Sequence, residues 1–529
     1  MHSERKPAIE KSDLIFLLFV ITFLYLLLFK LPFFPIYQEG DQLIFVDDAS
    51  RMLQGENIYR DFFQFTFPGT QLFYCFLFLI FGVKYWVLGF SVILTGALSF
   101  WICLRISKRL IDGPYTYLPA VIFAFFGLRW FGLDGSHRVF SPLFILIAVW
   151  LLLRSGNYLH LGLAGLFCAL SSFFTQQRGF AGLAAIVCFL LADNYARGWK
   201  WKKYLTESLT VVAAFIVSLA SMCAYFVANT GFEKFIDATL IYPALYYKYF
   251  EHNNLQAFWF FIKSSFAPGA RIGEFAPILF YSLLVPLSII GFFAVFWRHR
   301  RQHEWRFWRG PMLLGITGFF LLITTSAPSA MRLFNISIPA LILFIWILDR
   351  LNIFKERNRL VARAIVAVTL LISIMLIVRF QMRRDYIEIT TDRGDVRTIS
   401  DEKSSRYLWL QKHTKPGDYI LETPDPYVYF LLGLKHASRY SQFFPTEYTR
   451  PEFVSGTVEC LEKNKPRYIV WINDYNKPAS QRVSGDNLGP LSDYITASYD
   501  STGPVYPVSS DFYSEIQIWE RKLETHADR

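Results

Sequence analysis

At 529 residues the chain is long enough for several soluble domains, but its composition excludes an ordinary soluble assembly: 53% of residues are hydrophobic, only 18% are charged, and 54 are phenylalanine. The net charge of +11 lies in short loops between apolar runs, a pattern that sets membrane topology, so nucleic-acid binding is not expected. The six cysteines form no CxxC pair, which signals neither a disulfide framework nor a zinc site.

The first apolar run, Leu14–Phe29, lacks a small-residue cleavage site and is read as a retained signal-anchor helix. Eleven spans are predicted, at 14–34, 86–106, 114–131, 139–153, 159–175, 179–192, 207–228, 275–296, 311–326, 333–350 and 360–379. The loops between them sort by charge. One set is basic ("RISKRL", "YARGWKWKKY", "RHRRQHEWRFWR", "DRLNIFKERNR"), and its third member holds five Arg against one Glu. The other set is acidic or neutral. The positive-inside rule then places the N-terminus in the cytoplasm and the tail outside it.

Residues 36–85 form the first long extracytoplasmic loop. Between Tyr37 and Gly69, six carboxylates (Glu39, Asp41, Asp47, Asp48, Glu56, Asp61) stand against Arg51 and Arg60. Leu43, Val46, Ala49 and Leu53 predict an amphipathic helix over about 42–54, with Gln42, Asp47 and Arg51 off its apolar stripe. Asp47 and Asp48 are expected on its solvated face, and Arg60-Asp61 is expected to pair locally. At 15 residues, Pro68–Gly82 is marginal as a span, and counting it would spoil the charge sorting. It is placed in the interface or as a re-entrant segment. The second long loop, 229–274, is rich in Tyr, Trp and Phe, as expected of helices at headgroup depth.

The tail, 380–529, has more charge. Strand-like runs ("DYIEIT", "GDYILET", "RYIVWI", "SEIQIWER") alternate with helical ones ("EKSSRYLWLQKH", "PEFVSGTVECLEKN"), which predicts a small extracytoplasmic α/β domain. The fold class is thus an α-helical polytopic membrane protein, a transmembrane module over 1–379 followed by that domain.

The first loop resembles that of the GT-C class of integral-membrane glycosyltransferases, which includes protein O-mannosyltransferases, aminoarabinose transferases and lipopolysaccharide galacturonosyltransferases. The residues that carry the likeness are Asp41, "SRMLQGENIYRDF" (Ser50–Phe62) and Pro68. The resemblance implies a sugar donor carried on a polyprenyl phosphate, an acceptor that is a protein, lipid or polysaccharide, inversion at the anomeric carbon, and Asp41 as general base. It also implies a bacterial inner-membrane location. Because "EGD" stands where relatives carry an acidic pair, Glu39 is the alternative base. Asp41 also has a plainer reading, as the N-cap of the helix it opens.

The next extracytoplasmic turn, "LDGSHRVFSP", supplies Asp134, His137 and Arg138 as further candidates, with a simple turn and a snorkelling arginine as the alternative. "FFTQQRGF" puts Gln177 and Arg178 between two apolar runs, where polar groups are costly unless they face a cavity or partner. Arg178 is thus a candidate for lipid phosphate or for bulk headgroups. Lys248, Lys263, Arg271 and Arg332 complete the cations on this side, each either a phosphate contact or an interfacial anchor. No cofactor is signalled; a divalent metal bridged to Asp41 is compatible with an Asp and a His nearby but is not specified by spacing. A transporter or flippase of lipid-linked glycans is the alternative function, although no repeated halves or midplane ionisable residues are visible. A membrane scaffold presenting the tail is a third reading, which leaves the first loop unexplained.

Overall fold

The computed structural model describes residues 9–250, 263, 272–325, 329–350, 359–383, 385–399, 402–507 and 515–522. A helix lies at each of the eleven apolar segments. Among the described residues, seven helices are long and apolar enough to cross a membrane: Lys11–Leu28, Trp86–Leu110, His137–Arg154, Gln176–Ala196, Trp201–Thr230, Ala276–His299 and Arg363–Met382. Shorter apolar helices, among them Tyr115–Phe131 and Tyr158–Phe174, pack between them. Leu209, Ile216 and Val217 on one long helix and Val368, Leu371 and Met375 on another are exposed, an arrangement suited to lipid and costly in water.

The first helix ends earlier than expected. It stops at Leu28, and Phe29–Lys30 (β1) pairs antiparallel with Phe34–Pro35 (β2), because Pro32 and Pro35 cannot continue a helix. Lys30 Nζ donates to the carbonyls of Phe380, Gln381 and Arg383 at 2.7, 2.8 and 2.9 Å. Gln381 Nε2 returns bonds to the carbonyls of Leu26 and Phe29. The first and last apolar helices are therefore stitched together at one end.

Arginine–carboxylate contacts occur at both ends of the bundle. At one, Arg109 donates to the Leu153 carbonyl and Arg309 meets Asp193. At the other lie Asp41, Arg138 and Arg178.

The first-loop helix, Asp41–Leu53, buries Leu43, Val46 and Ala49 as the stripe requires. Its other face is not solvated: Asp47 and Asp48 are 5% and 6% exposed, because His436 of the tail meets Asp47 and the first loop's own Gln64 and Gln71 close on Asp48. Arg60 and Asp61 pair at 2.8 Å as expected. Pro68–Gly82 contains the helix Gly69–Phe81, which is shorter than a span. The aromatic run after Gly231 forms short helices, and Tyr242 is buried and donates to the Tyr448 carbonyl at 2.7 Å. Tyr242 and its aromatic neighbours in this part of the second loop pack on Tyr448 and Phe453 of the tail. The run Ala257–Phe266 lies outside the described residues except for Lys263.

In the tail, Tyr386–Ile389 (β3) and Val396–Ile399 (β4) make an antiparallel hairpin. The strands Tyr419–Glu422 (β5), Lys435–His436 (β6), Tyr468–Ile472 (β7), Tyr499–Asp500 (β8), Val505–Pro507 (β9) and Glu515–Arg521 (β10) form one sheet. Its order is β6-β5-β7-β10-β8, with β9 also on β10. β5 runs parallel to β6 and β7, and β10 antiparallel to β7. The helices Glu402–His413 and Pro451–Asn464 coincide with the predicted ones.

Leu43, Val46, Tyr74 and Phe78 of the first loop share one hydrophobic core with Phe430, Ile469 and Trp471 of the tail. Polar ties line the same seam. Arg406 meets Glu39 at 3.0 Å, Arg393 donates to Ser50 Oγ at 2.9 Å, and Arg439 donates to the Arg60 carbonyl at 3.0 Å.

Candidate active site

Asp41 is the first residue of its helix. Gly40 holds the cap position, and no side chain caps this end. The N-cap reading is therefore not realised. The carboxylate instead turns to Arg138, whose guanidinium lies 2.5 Å from Asp41 Oδ2 and 3.9 Å from Asp134 Oδ2. Arg138 thus bridges two carboxylates from separate loops, standing where a cation shared between them would stand. No group of three or more His, Cys, Asp or Glu side chains suited to a metal ion occurs among the described residues.

Asp134 belongs to the turn that starts the His137–Arg154 helix. Its Oδ1 accepts the Ser136 N–H at 3.0 Å and its Oδ2 the Ser136 hydroxyl at 2.6 Å. Burial pushes this carboxyl above its ordinary range, against the pull of Arg138.

Arg138 also opens onto a cavity of about 640 Å³. His137, Arg178 and Arg332 line it with Arg138, on three different helices. Arg178 is 8% exposed and donates to the Arg138 carbonyl at 2.5 Å and to Ser141 Oγ at 3.1 Å. The next residue explains how it fits. A Cβ at Gly179 would come within 2.4 Å of the Cys168 carbonyl and 2.2 Å of the Ser172 nitrogen, so only glycine lets the two helices close this tightly. Gln177 is exposed at the cavity wall. His137 packs edge to face on Phe45 at 5.1 Å, and its Nδ1 is buried with no hydrogen-bond partner among the described residues.

The remaining candidates lie elsewhere. Glu39 is held by Arg406 of the tail, which also reaches Glu422 at 3.5 Å. It serves the seam and does not line the cavity. Lys248 stands over the Tyr249 ring at 4.9 Å and Lys263 is exposed; neither lines the cavity. Arg271 lies outside the described residues.

Several contributors had weak sequence signals. Gln176 Nε2 donates to the carbonyls of Phe65 and Thr239, fastening both long loops to the cavity wall. Tyr247, Thr324 and Thr325 also line it. The aromatic run could have flagged Tyr247, but threonines at a helix end carry no pattern of their own.

The lining also includes apolar side chains, among them Phe180, Ala181, Leu240, Phe320 and Ile323. A cavity that combines guanidiniums with apolar surface suits an amphiphile with an anionic head.

No protein family's sequence model matches the chain, and no curated protein matches it by sequence. Solved structures do. Cupriavidus metallidurans ArnT bound to undecaprenyl phosphate superposes with a TM-score of 0.59 at 12% identity, over 97% of this chain and 98% of that one. The Archaeoglobus fulgidus oligosaccharyltransferase in its apo form gives 0.51 at 11% identity, over 91% and 72%. Both are GT-C glycosyltransferases. This chain has their fold. The resemblance first carried by one loop extends over nearly its whole length, sheet-containing tail included.

Proposed function

We propose that the protein is a membrane glycosyltransferase that moves a sugar from a polyprenyl-phosphate donor to an extracytoplasmic acceptor. The reading is supported chiefly by Asp41 sitting on Arg138 at the rim of a cavity that also holds Arg178 and Arg332. The shared fold with an enzyme crystallised with undecaprenyl phosphate points the same way.

In this mechanism the donor's phosphate lies among the guanidiniums, and its prenyl chain leaves along the apolar wall. The acceptor hydroxyl approaches from the tail side. Asp41 takes its proton as the oxygen attacks the anomeric carbon. The bond from that carbon to the phosphate oxygen breaks, and the phosphate leaves with the electron pair, stabilised by the arginines. Attack opposite the leaving group inverts the anomeric centre. The N-terminus and basic loops then face the cytoplasm, and the tail lies outside, packed on the first loop over the acceptor's route.

Asp41→Asn tests the reading. Envelope glycans of cells lacking the native copy, followed by mass spectrometry, should regain the missing product with the wild-type chain and not with the variant. The variant should still bind undecaprenyl phosphate. Unchanged transfer by Asp41→Asn would remove the base from the mechanism. A flippase would instead pass lipid-linked glycan across vesicles whether or not Asp41 is present.

A further inference from the structure

Arg138 has to be held where both Asp41 and the cavity can use it, and Gly135, three residues before it, is held through both of its backbone polar groups. The Gly135 N–H donates to Gln42 Oε1 at 3.0 Å, and the Gly135 carbonyl accepts from the Tyr74 hydroxyl at 2.6 Å. Gln42 follows Asp41 on the same helix, and its Nε2 donates to the Gln38 carbonyl at 3.2 Å. Tyr74 comes from the Gly69–Phe81 helix, and its hydroxyl also lies 2.9 Å from Ser91 Oγ on the Trp86–Leu110 helix. Gln42 is 4% exposed, and Tyr74 and Ser91 are fully buried. A Cβ at Gly135 would stand 2.3 Å from the Tyr74 hydroxyl, so glycine is what admits the phenol.

From this we infer that Gln42 and Tyr74 are positioning residues. By clamping the Gly135 peptide they fix the Asp134–Arg138 turn against the Asp41 helix and so set the Arg138–Asp41 contact. The inference rests on the reading of Asp41 and Arg138 given above. The physical reason is the short lever between clamp and site: Arg138 is three residues beyond Gly135, across the turn closed by Asp134 and Ser136. Without the clamp, the turn can move relative to the Asp41 helix while Arg178, also held by Ser141 Oγ inside the following helix, and Arg332, on a third helix, keep their places. The phosphate site then persists and the base is misplaced, and displacement by about 1 Å is enough to cost roughly a hundredfold in rate.

The test uses full-length Tyr74→Phe and Gln42→Met in cells lacking the native copy, with Asp41→Asn alongside. Two quantities are read: the initial rate of envelope-glycan formation per folded protein, and the Kd for undecaprenyl phosphate of each purified variant in nanodiscs. The expected result is a fall of about tenfold or more in rate for both variants, with Kd within about threefold of wild type. A residue with only a structural role would lower folded yield or raise Kd as the rate falls, and that outcome overturns the inference. So do wild-type rates in both variants while Asp41→Asn is inactive, a result that leaves the proposed function standing. Wild-type transfer by Asp41→Asn instead removes the functional reading itself.

Discussion

Asp47 and His436 are 389 positions apart in the chain and 2.6 Å apart in space, His436 Nε2 donating to Asp47 Oδ2. The imidazole also stacks on Tyr429, ring centroids 3.6 Å apart at 10°. This buried pair fastens the sheet-bearing tail to the helix that begins with Asp41.

Burial, aided by the neighbouring Arg51 charge, holds the His436 imidazole below its ordinary range against the pull of Asp47. The unfolded tail therefore takes up a proton at a pH where the folded one does not. Stability from this group is complete above about pH 6.5 and is lost as pH falls from there through the folded value. Thermal unfolding of the wild type and of His436→Gln should differ by about 1–3 kcal/mol in favour of the wild type at pH 7.5, and that difference should shrink as pH falls to 5. A difference that stays constant over this range contradicts the assignment.

Asp48 behaves in the opposite sense. Its carboxyl is pushed up to about 7 by burial, although Gln64 and Gln71 both donate to its Oδ2. The unfolded group ionises near pH 4 and the folded one near 7, so stability declines as pH rises between them and is level above. Asp48→Asn keeps an acceptor for the two amides and removes the ionisation. It should raise stability at pH 8 by a few kcal/mol, from about 1.4 kcal/mol per pH unit, and leave it nearly unchanged at pH 4. Equal melting of the two proteins at pH 8 contradicts this account.

Arg138→Lys keeps one positive charge but cannot span Asp41 and Asp134 with two nitrogens. On the proposed mechanism it should lower transfer at least tenfold. Arg138→Ala should lower it by about 10²–10³ and also destabilise the turn, since Asp134 is left buried without its counter-charge. The rate assay and a melting curve separate the two effects.

Arg178→Gln addresses the phosphate. The donor's head should bind about tenfold more weakly, roughly 1.4 kcal/mol, with less salt dependence than wild type because one guanidinium is gone. Titration of undecaprenyl phosphate into nanodiscs at two salt concentrations measures both. Wild-type affinity and salt response would take Arg178 out of the site.

Much of this was legible in the sequence for physical reasons. Apolar length and loop charge located the helices, and the acidic loop after the first helix pointed to Asp41. The polar break at Gln177 and Arg178 pointed to the cavity wall. What could not be read is tertiary. Asp47 and Asp48 look like a solvated helix face because nothing in the local pattern announces that His436, 389 positions further on, will meet Asp47 or that Gln64 and Gln71 will fold back onto Asp48. Glu39 is indistinguishable from Asp41 as a carboxylate until Arg406 claims it. Arg138 reads equally as a site residue or a snorkelling cation until its two acidic partners converge on it. Gln42 and Tyr74 show no pattern at all, since a clamp on one peptide leaves no periodic trace.

The stitch made by Lys30 with the carbonyls of Phe380, Gln381 and Arg383 has a consequence for biosynthesis. Its partners are separated by 350 positions or more, and His436 reaches Asp47 only after 389. At about 5–20 residues per second, a ribosome needs roughly 20–80 s to travel that far. For this interval the nascent first loop has its carboxylates in place but neither His436 nor Arg406 to brace them. The chain is thus built so that its earliest-made reactive segment is secured by one of its last-made parts, and a truncated product carries the loop without its brace.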